Sequence, residues 1–253
     1  MMMKKNCRKI LVFVLLISAA SGTHAQAVSP AAEEILRKVD ENEIYKSITY
    51  EGEMIIEYRG KRFVKTFKGF ARENNDSFME FTNREDRGTK YLKKDGRLYV
   101  YSPDTEQVML ISGHLLKESM MGSDLSYEDT IENEKLSVRY RPVIVLEEMV
   151  DGRETWVLEL AARRNTESYQ KQKLWVAKDN FDVLKSEYYA LSGAMLKQYR
   201  LIRSENISGR SFPVESEMRD LLRKDSRTVF VMRNVNLDKP LSDSVFSMRN
   251  LQR

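Results

Sequence analysis

The sequence is poor in the residues that most reactions and cross-links need. It holds one cysteine, Cys7, and two histidines, His24 and His114. A lone cysteine excludes a disulfide framework. Five prolines and eleven glycines in 253 residues exclude collagen-like and low-complexity chains. The long apolar run Ile10–Ile17 falls short of the ~20 residues a membrane-spanning helix needs. No phosphate loop, GxGxxG, HExxH or GxSxG segment is present. What remains is globular in composition, 42% apolar and 32% charged, with the charges evenly mixed.

The first 25 residues read as a cleavable export leader. Lys4, Lys5, Arg8 and Lys9 precede the apolar run, and Ser18 to Ala25 are mostly small. Cleavage near Ala25 leaves 26–253 as one expected domain. The leader holds four of the 42 Lys and Arg and none of the 38 Asp and Glu, so the mature chain balances 38 against 38. Nucleic acid is therefore not an expected partner, since its recognition needs a basic excess. The leader also takes Cys7 and His24. Thiol catalysis, thiolate metal sites and iron–sulfur clusters go with them. A Ser-His-Asp triad would have to use His114, and a catalytic zinc would need at least two carboxylates among its usual three protein ligands. With no cysteine at the cleavage point, the expectation is a soluble exported protein without a lipid anchor.

Pro30 to Asn42 has helical spacing. Ala32, Ile35, Leu36 and Val39 form one stripe, Ser29 suits the N-cap and Pro30 the first turn. From Ser47 the period changes to two. Met54, Ile56 and Tyr58 alternate with polar residues, Arg59-Gly60-Lys61 turns the chain, and Phe63, Lys65 and Phe67 alternate again. Short strands follow at intervals of roughly ten residues to Val235, the segment Leu136–Tyr140 among them. Only His114 to Gly122 breaks the rhythm, with Leu116 and Met120 at i and i+4 as in a short helix. The expected fold is mainly β: a single unclosed antiparallel barrel of about 11–12 strands, one N-terminal helix and one short mid-chain helix.

Side chains that could carry chemistry are few. His114, beside a turn glycine, reads as a surface or capping histidine. Asp124, Glu128, Asp129, Glu132 and Glu134 lack the alternating oxygen spacing of a calcium loop and read as a solvated loop. No metal or cofactor is expected, and nothing makes a positive case for an enzyme. What stands out is the apolar inventory: Trp156, Trp175, many Tyr and Phe, and the adjacent Met120 and Met121. Methionine adapts to irregular apolar ligands. A curved sheet with only two helices has difficulty covering its concave face, which leaves room for an apolar cavity.

Two segments carry a resemblance. Met121-Gly122-Ser123-Asp124-Leu125-Ser126-Tyr127-Glu128-Asp129 is similar to a Gly-Ser-Asp-hydrophobic-Ser-Tyr-x-Asp motif. The tail Val235–Phe246 is similar to a closing Asn-x-x-hydrophobic-x-x-x-x-Phe pattern. With the exported helix and long meander, the chain from Pro30 to Arg253 resembles the LolA/LolB superfamily, within it the outer-membrane lipoprotein-sorting group. The motif residues are Gly122, Ser123, Asp124, Ser126, Tyr127 and Asp129. The resemblance implies a helix-plugged barrel that holds acyl chains and catalyses no reaction. It also implies an arginine between barrel and lid, with Arg59, Arg62 and Arg72 unassigned.

On that reading Leu115, Leu116, Met120 and Met121 belong to the lid. The cavity lining includes Met54, Ile56, Tyr58, Phe67, Tyr99, Trp156, Leu158 and Trp175. The implied role is a periplasmic carrier that shuttles lipoproteins toward the outer membrane. Its partners would be acylated lipoproteins or other lipids, an inner-membrane export complex and an outer-membrane acceptor. A lipid or lipoprotein sensor, and a lipid-export accessory protein, are the alternatives on the same fold. A glycan hydrolase would instead need a hydrophilic cleft with paired carboxylates.

Overall fold

The computed structural model describes residues 30–42, 45–73, 76–132 and 134–253. The expected leader and the Ser29 cap lie outside the described residues.

The helix forms where its apolar stripe predicts. In α1 (Pro30–Asn42) the side chains of Ala32, Ile35, Leu36 and Val39 are buried. They pack on Tyr140, Leu158, Leu160, Leu174 and Val176. Burial of Ile35, Leu36 and Val39 stabilises this contact by about 6 kcal/mol before ordering costs.

Among the described residues, thirteen strands form one antiparallel sheet. They are β1 (Ser47–Tyr58), β2 (Lys61–Arg72), β3 (Ser77–Phe81), β4 (Lys90–Lys94), β5 (Arg97–Ser102), β6 (Gln107–Ile111) and β7 (Tyr140–Val150). Then follow β8 (Arg153–Ala162), β9 (Lys171–Ala177), β10 (Val183–Tyr189), β11 (Met195–Ile207), β12 (Arg210–Asp220) and β13 (Ser226–Leu237). Each strand pairs with its neighbours in sequence except β6 and β7, which do not pair with each other, and β1 pairs with β13. The edges are β6 and β7, so the barrel stays open. The described chain between these edges, residues 112–132 and 134–139, crosses the concave face.

Turn chemistry sets the register. Arg59 and Gly60 both have positive φ, 48° and 75°, the geometry of a two-residue hairpin turn that matches strand twist. Further along, Gly52 faces Phe67 and Gly69 faces Tyr50 across β1 and β2. A Cβ on Gly52 would lie 2.3 Å from the Phe67 ring, and one on Gly69 would lie 2.2 Å from Tyr50. Each aromatic ring fills the space its partner glycine leaves open.

Two local expectations are corrected. Leu136–Tyr140 is not a strand: Leu136–Arg139 is a turn of helix, α3. The Asp40 carboxylate on α1 accepts the backbone N–H groups of Leu136 (2.8 Å) and Ser137 (3.1 Å), which satisfies the start of that turn. The mid-chain helix is instead two short 3-10 turns, Gly113–Lys117 and Met120–Gly122. Met121 with φ 53° and Gly122 with φ 79° end it, and Ser119 bridges back to Ser126. A following helix, α2 (Tyr127–Ile131), starts on a capping box of Ser126 and Asp129. On the other face of the sheet, Phe246 and Leu251 of the C-terminal segment, with α4 (Met248–Leu251), cover Phe78 and Leu92.

Candidate functional site

A cavity of about 720 Å³ lies on the concave face, between the sheet and the crossing segment. Its floor is Leu174 on β9, Val183 and Tyr188 on β10, Tyr199 on β11, Met218 on β12 and Met232 on β13. Leu125, Asp129, Leu136 and Arg139 close it from above. Ser168, Gln172, Ser186 and Ser216 add polar points to the wall. A smaller space of about 200 Å³ continues beneath α1, among Val39, Tyr45, Phe181 and Phe212.

The crossing segment is held down at three places. At the first, Arg223, in the turn between β12 and β13, donates to the carbonyls of Gly122 (3.0 Å) and Ser123 and to the Ser119 hydroxyl (3.1 Å). At the second, Asp124 is 1% exposed. It accepts the Thr228 hydroxyl at 2.6 Å and the Asp220 N–H at 3.0 Å, while its own N–H donates to Thr228 Oγ1 at 2.9 Å. At the third, the Asp129 carboxylate accepts Ser126 at 2.8 Å, Lys197 Nζ at 2.5 Å and the Tyr169 hydroxyl at 2.6 Å. The sequence motif is thus a docking device, with Asp124 serving β12 and β13 and Asp129 serving β11.

Ionic contacts frame the cover. Arg139 is buried and pairs with Glu167 at 2.6 Å and Glu132 at 3.2 Å. Burial opposes the charge on Glu167, but hydrogen bonds from Arg139 and Arg164 hold its carboxyl below the usual range. Lys93, buried on β4, donates to the Ile131 carbonyl at the end of α2. That burial pulls its ammonium down to about 8 from 10.5. Burial and then the nearby Asp129 push the Tyr169 phenol upward, so it stays a neutral donor. The acidic run is therefore no solvated loop: Asp124 and Asp129 are latch groups, Glu132 pairs with Arg139, and Glu134 pairs with Arg164.

The predicted lining and lid residues divide among several places, and none of them borders the cavity of about 720 Å³. Met54, Ile56 and Phe67 pack with Met120, and with Phe81, Tyr91 and Val100, in a filled core under the crossing segment. Leu116, Met121 and Tyr127 lie against that core, and the Tyr91 hydroxyl reaches both Met121 Sδ (3.1 Å) and the Tyr127 hydroxyl (3.3 Å). Leu115 and His114 face solvent. Tyr58, at the end of β1, lies between the guanidinium groups of Arg59 (5.1 Å) and Arg223 (5.0 Å). Leu158 sits beneath α1, and Trp156 stacks on Phe181 at 5.9 Å beside it.

Tyr99 and Trp175 are not brought to this face. Leu98 and Val100 point into the concave core, so the pleat sends Tyr99 outward to the C-terminal segment. Leu174 and Val176 likewise face α1, and Trp175 lies opposite, its indole N–H donating to Glu148 and Lys185 stacked 4.0 Å from its ring. Sequence reasoning passed over Arg223, Lys197, Tyr169 and Thr228. A lone arginine in a turn carries no pattern. Thr228 stands at an inward position among apolar alternates on β13, and that parity was the available signal.

An open antiparallel barrel whose concave face is covered by one helix and a latched crossing segment defines a class, the LolA-like fold. A family model described only as "Uncharacterized protein"-like matches residues 73–253. The chain belongs to that family, and its fold is LolA-like. It is similar to a DUF1329 family protein from Desulfovibrio piger: 29% identity, TM-score 0.80, covering 87% of this chain and 98% of that one. It is similar to a LolA superfamily protein from Nitrosomonas europaea: 26% identity, TM-score 0.71, covering 87% and 99%. A domain from Vibrio parahaemolyticus named for outer-membrane lipoprotein sorting has the same fold at 21% identity, with TM-score 0.78 and coverage of 88% and 99%. No curated protein matches the chain.

Proposed function

We propose that this protein is an exported, periplasmic carrier that buries the acyl chains of lipoproteins or similar lipids and catalyses no reaction. The observation that carries this reading is the cavity of about 720 Å³ beneath a latched cover. Its volume lies within the range of about 300–1,000 Å³ typical of ligand pockets, and its mixed floor includes Leu174, Val183 and two methionines that can repack. An acyl chain of about 16 carbons loses roughly 12 kcal/mol of hydration penalty on leaving water, at ~0.8 kcal/mol per CH₂. A carrier must match most of that and still let go. The latch supplies the second requirement, because its contacts are polar and local. Residues 26–253 form the carrier on this reading, and 1–25 direct export. Loading would come from an inner-membrane export complex and unloading to an outer-membrane acceptor.

Native mass spectrometry of the protein purified from its own envelope, followed by lipid extraction, tests this. The reading expects an acylated peptide or lipoprotein bound near one-to-one. Free phospholipid alone would replace shuttling with lipid export, and an empty protein that also takes up no fatty acid would end the carrier reading.

A further inference from the structure

The turns at one end of the barrel form a surface distinct from the cavity. Arg59 in the β1–β2 turn donates its backbone N–H to the Asp225 carbonyl in the β12–β13 turn at 2.9 Å, so the two tips move as one. Between them runs an open groove of about 580 Å³. Six cations line it, among them Lys61, Arg62, Arg219 and Lys224, against the three carboxylates Glu57, Asp220 and Asp225. The charges are partly paired: Arg219 holds Glu217 at 2.6 Å, and Arg227 reaches Glu217 at 3.3 Å as well as Glu57. Glu57 is held by Arg227 at 2.8 Å, and Asp220 accepts the Leu222 N–H at 2.9 Å. Lys61 and Lys224 are exposed and make no ion pair among the described residues. The mature sequence is charge-balanced, so this cationic end is a local concentration and not a reflection of the whole.

Apolar side chains stand among those cations. Leu222 at the tip of the β12–β13 turn is 75% exposed, and Leu221 beside it, which lines the groove, is 43% exposed. A rigid protein partner would require a matched concave surface for these side chains. A fluid headgroup layer requires only depth, and a residue or two past a tip lies within the ~5–10 Å reach of interfacial insertion.

We propose that this end of the barrel docks on an anionic bilayer surface, with Leu222 and Leu221 entering the headgroup layer and Lys61, Arg62 and Lys224 facing lipid phosphates. Arg223 lines the groove and also holds the carbonyls of Gly122 and Ser123. Lipid phosphate therefore competes with the cover for one guanidinium, and docking loosens the latch over the cavity. The docking itself is independent of the carrier reading; its meaning as a release signal rests on that reading.

Vesicle flotation of the purified protein tests the docking without any cargo. Phosphatidylcholine vesicles containing phosphatidylglycerol should bind it, pure phosphatidylcholine should not, and added salt should weaken binding. A juxtaposed basic side chain contributes about fivefold to such binding, so the double variant Lys61→Gln, Lys224→Gln should lose about 25-fold. Leu222→Asp should lose binding too, with an unchanged thermal midpoint, since all three sites are exposed. Equal binding to neutral vesicles, or binding unchanged in these variants, would overturn the proposal. Binding to polyglutamate with none to vesicles would overturn it in favour of an acidic protein partner. With anionic vesicles bound, exchange at the amides of Met120 and Ser123 should rise, and unchanged exchange there would overturn the coupling to the latch. Failure of the cavity to take an acyl chain would leave the vesicle result standing.

Discussion

Removing the Arg223 side chain should open the cover while leaving the barrel folded. The guanidinium makes charge-assisted bonds to the Gly122 and Ser123 carbonyls and a third to Ser119 Oγ. Each bond to a charged donor contributes about 1.5 kcal/mol or more when buried. Arg223 is only half-buried, so a total of about 2 kcal/mol for Arg223→Ala is the reasonable scale. That shifts the local opening equilibrium about 30-fold. The reporters are the Met120 N–H, bonded to the Leu125 carbonyl at 2.8 Å, and the Ser123 N–H, bonded to Met120 at 2.9 Å. Native-state hydrogen exchange should show both amides exchanging about 30-fold faster in the variant. The amides of Leu158 and Leu174, in the core under α1, should keep their protection. Unchanged exchange at Met120 and Ser123 would refute the latch. A uniform rise across the sheet would refute its locality.

Three further outcomes follow from the same geometry. Thr228→Val removes the hydroxyl at 2.6 Å from the buried Asp124 carboxylate; it should destabilise the fold by about 2 kcal/mol, read from urea midpoints, and an unchanged midpoint would contradict the role of that pair. Gly52→Ala places a Cβ 2.3 Å from the Phe67 ring and should cost about 1–3 kcal/mol from overpacking, whereas a neutral result would mean the ring moves freely. The Lys93 ammonium is pulled down to about 8, from 10.5. Between those values the unfolded chain binds more protons than the folded one, so this group's contribution to stability rises with pH across that window. The wild type should therefore gain stability relative to Lys93→Met from pH 8 to pH 10 in denaturant titrations, and a constant difference would contradict a depressed Lys93.

Much of this architecture was legible because periodicity is a backbone property. The 3.6-residue stripe of Ala32, Ile35, Leu36 and Val39 gave α1, and alternation around Met54 and Phe67 gave the first hairpin. The crossing segment was not legible in the same way. Its shape depends on contacts far along the chain: Asp40 caps Leu136 from α1, and Met121 turns left-handed between elements docked on β12 and β13. The lining residues show a second limit. Tyr99 and Trp175 stood out as large aromatics, yet residue type does not choose a face of a strand; parity does, and their neighbours Leu98 and Leu174 hold the inner face. The cavity floor instead comes from Met218, Met232, Tyr188 and Tyr199, on strands whose inward positions mix apolar with hydroxyl-bearing side chains.

The central claim, that the concave cavity receives an acyl chain, is tested most directly by titrating a fluorescent fatty acid into the wild type and into Met232→Trp. Met232 lies on the cavity floor, and an indole there occupies space that the ligand would take. The account predicts saturable, near one-to-one uptake by the wild type and its loss in the variant, with the unfolding midpoint preserved. Equal uptake by both proteins would place the ligand elsewhere, and no uptake by either would contradict the carrier reading.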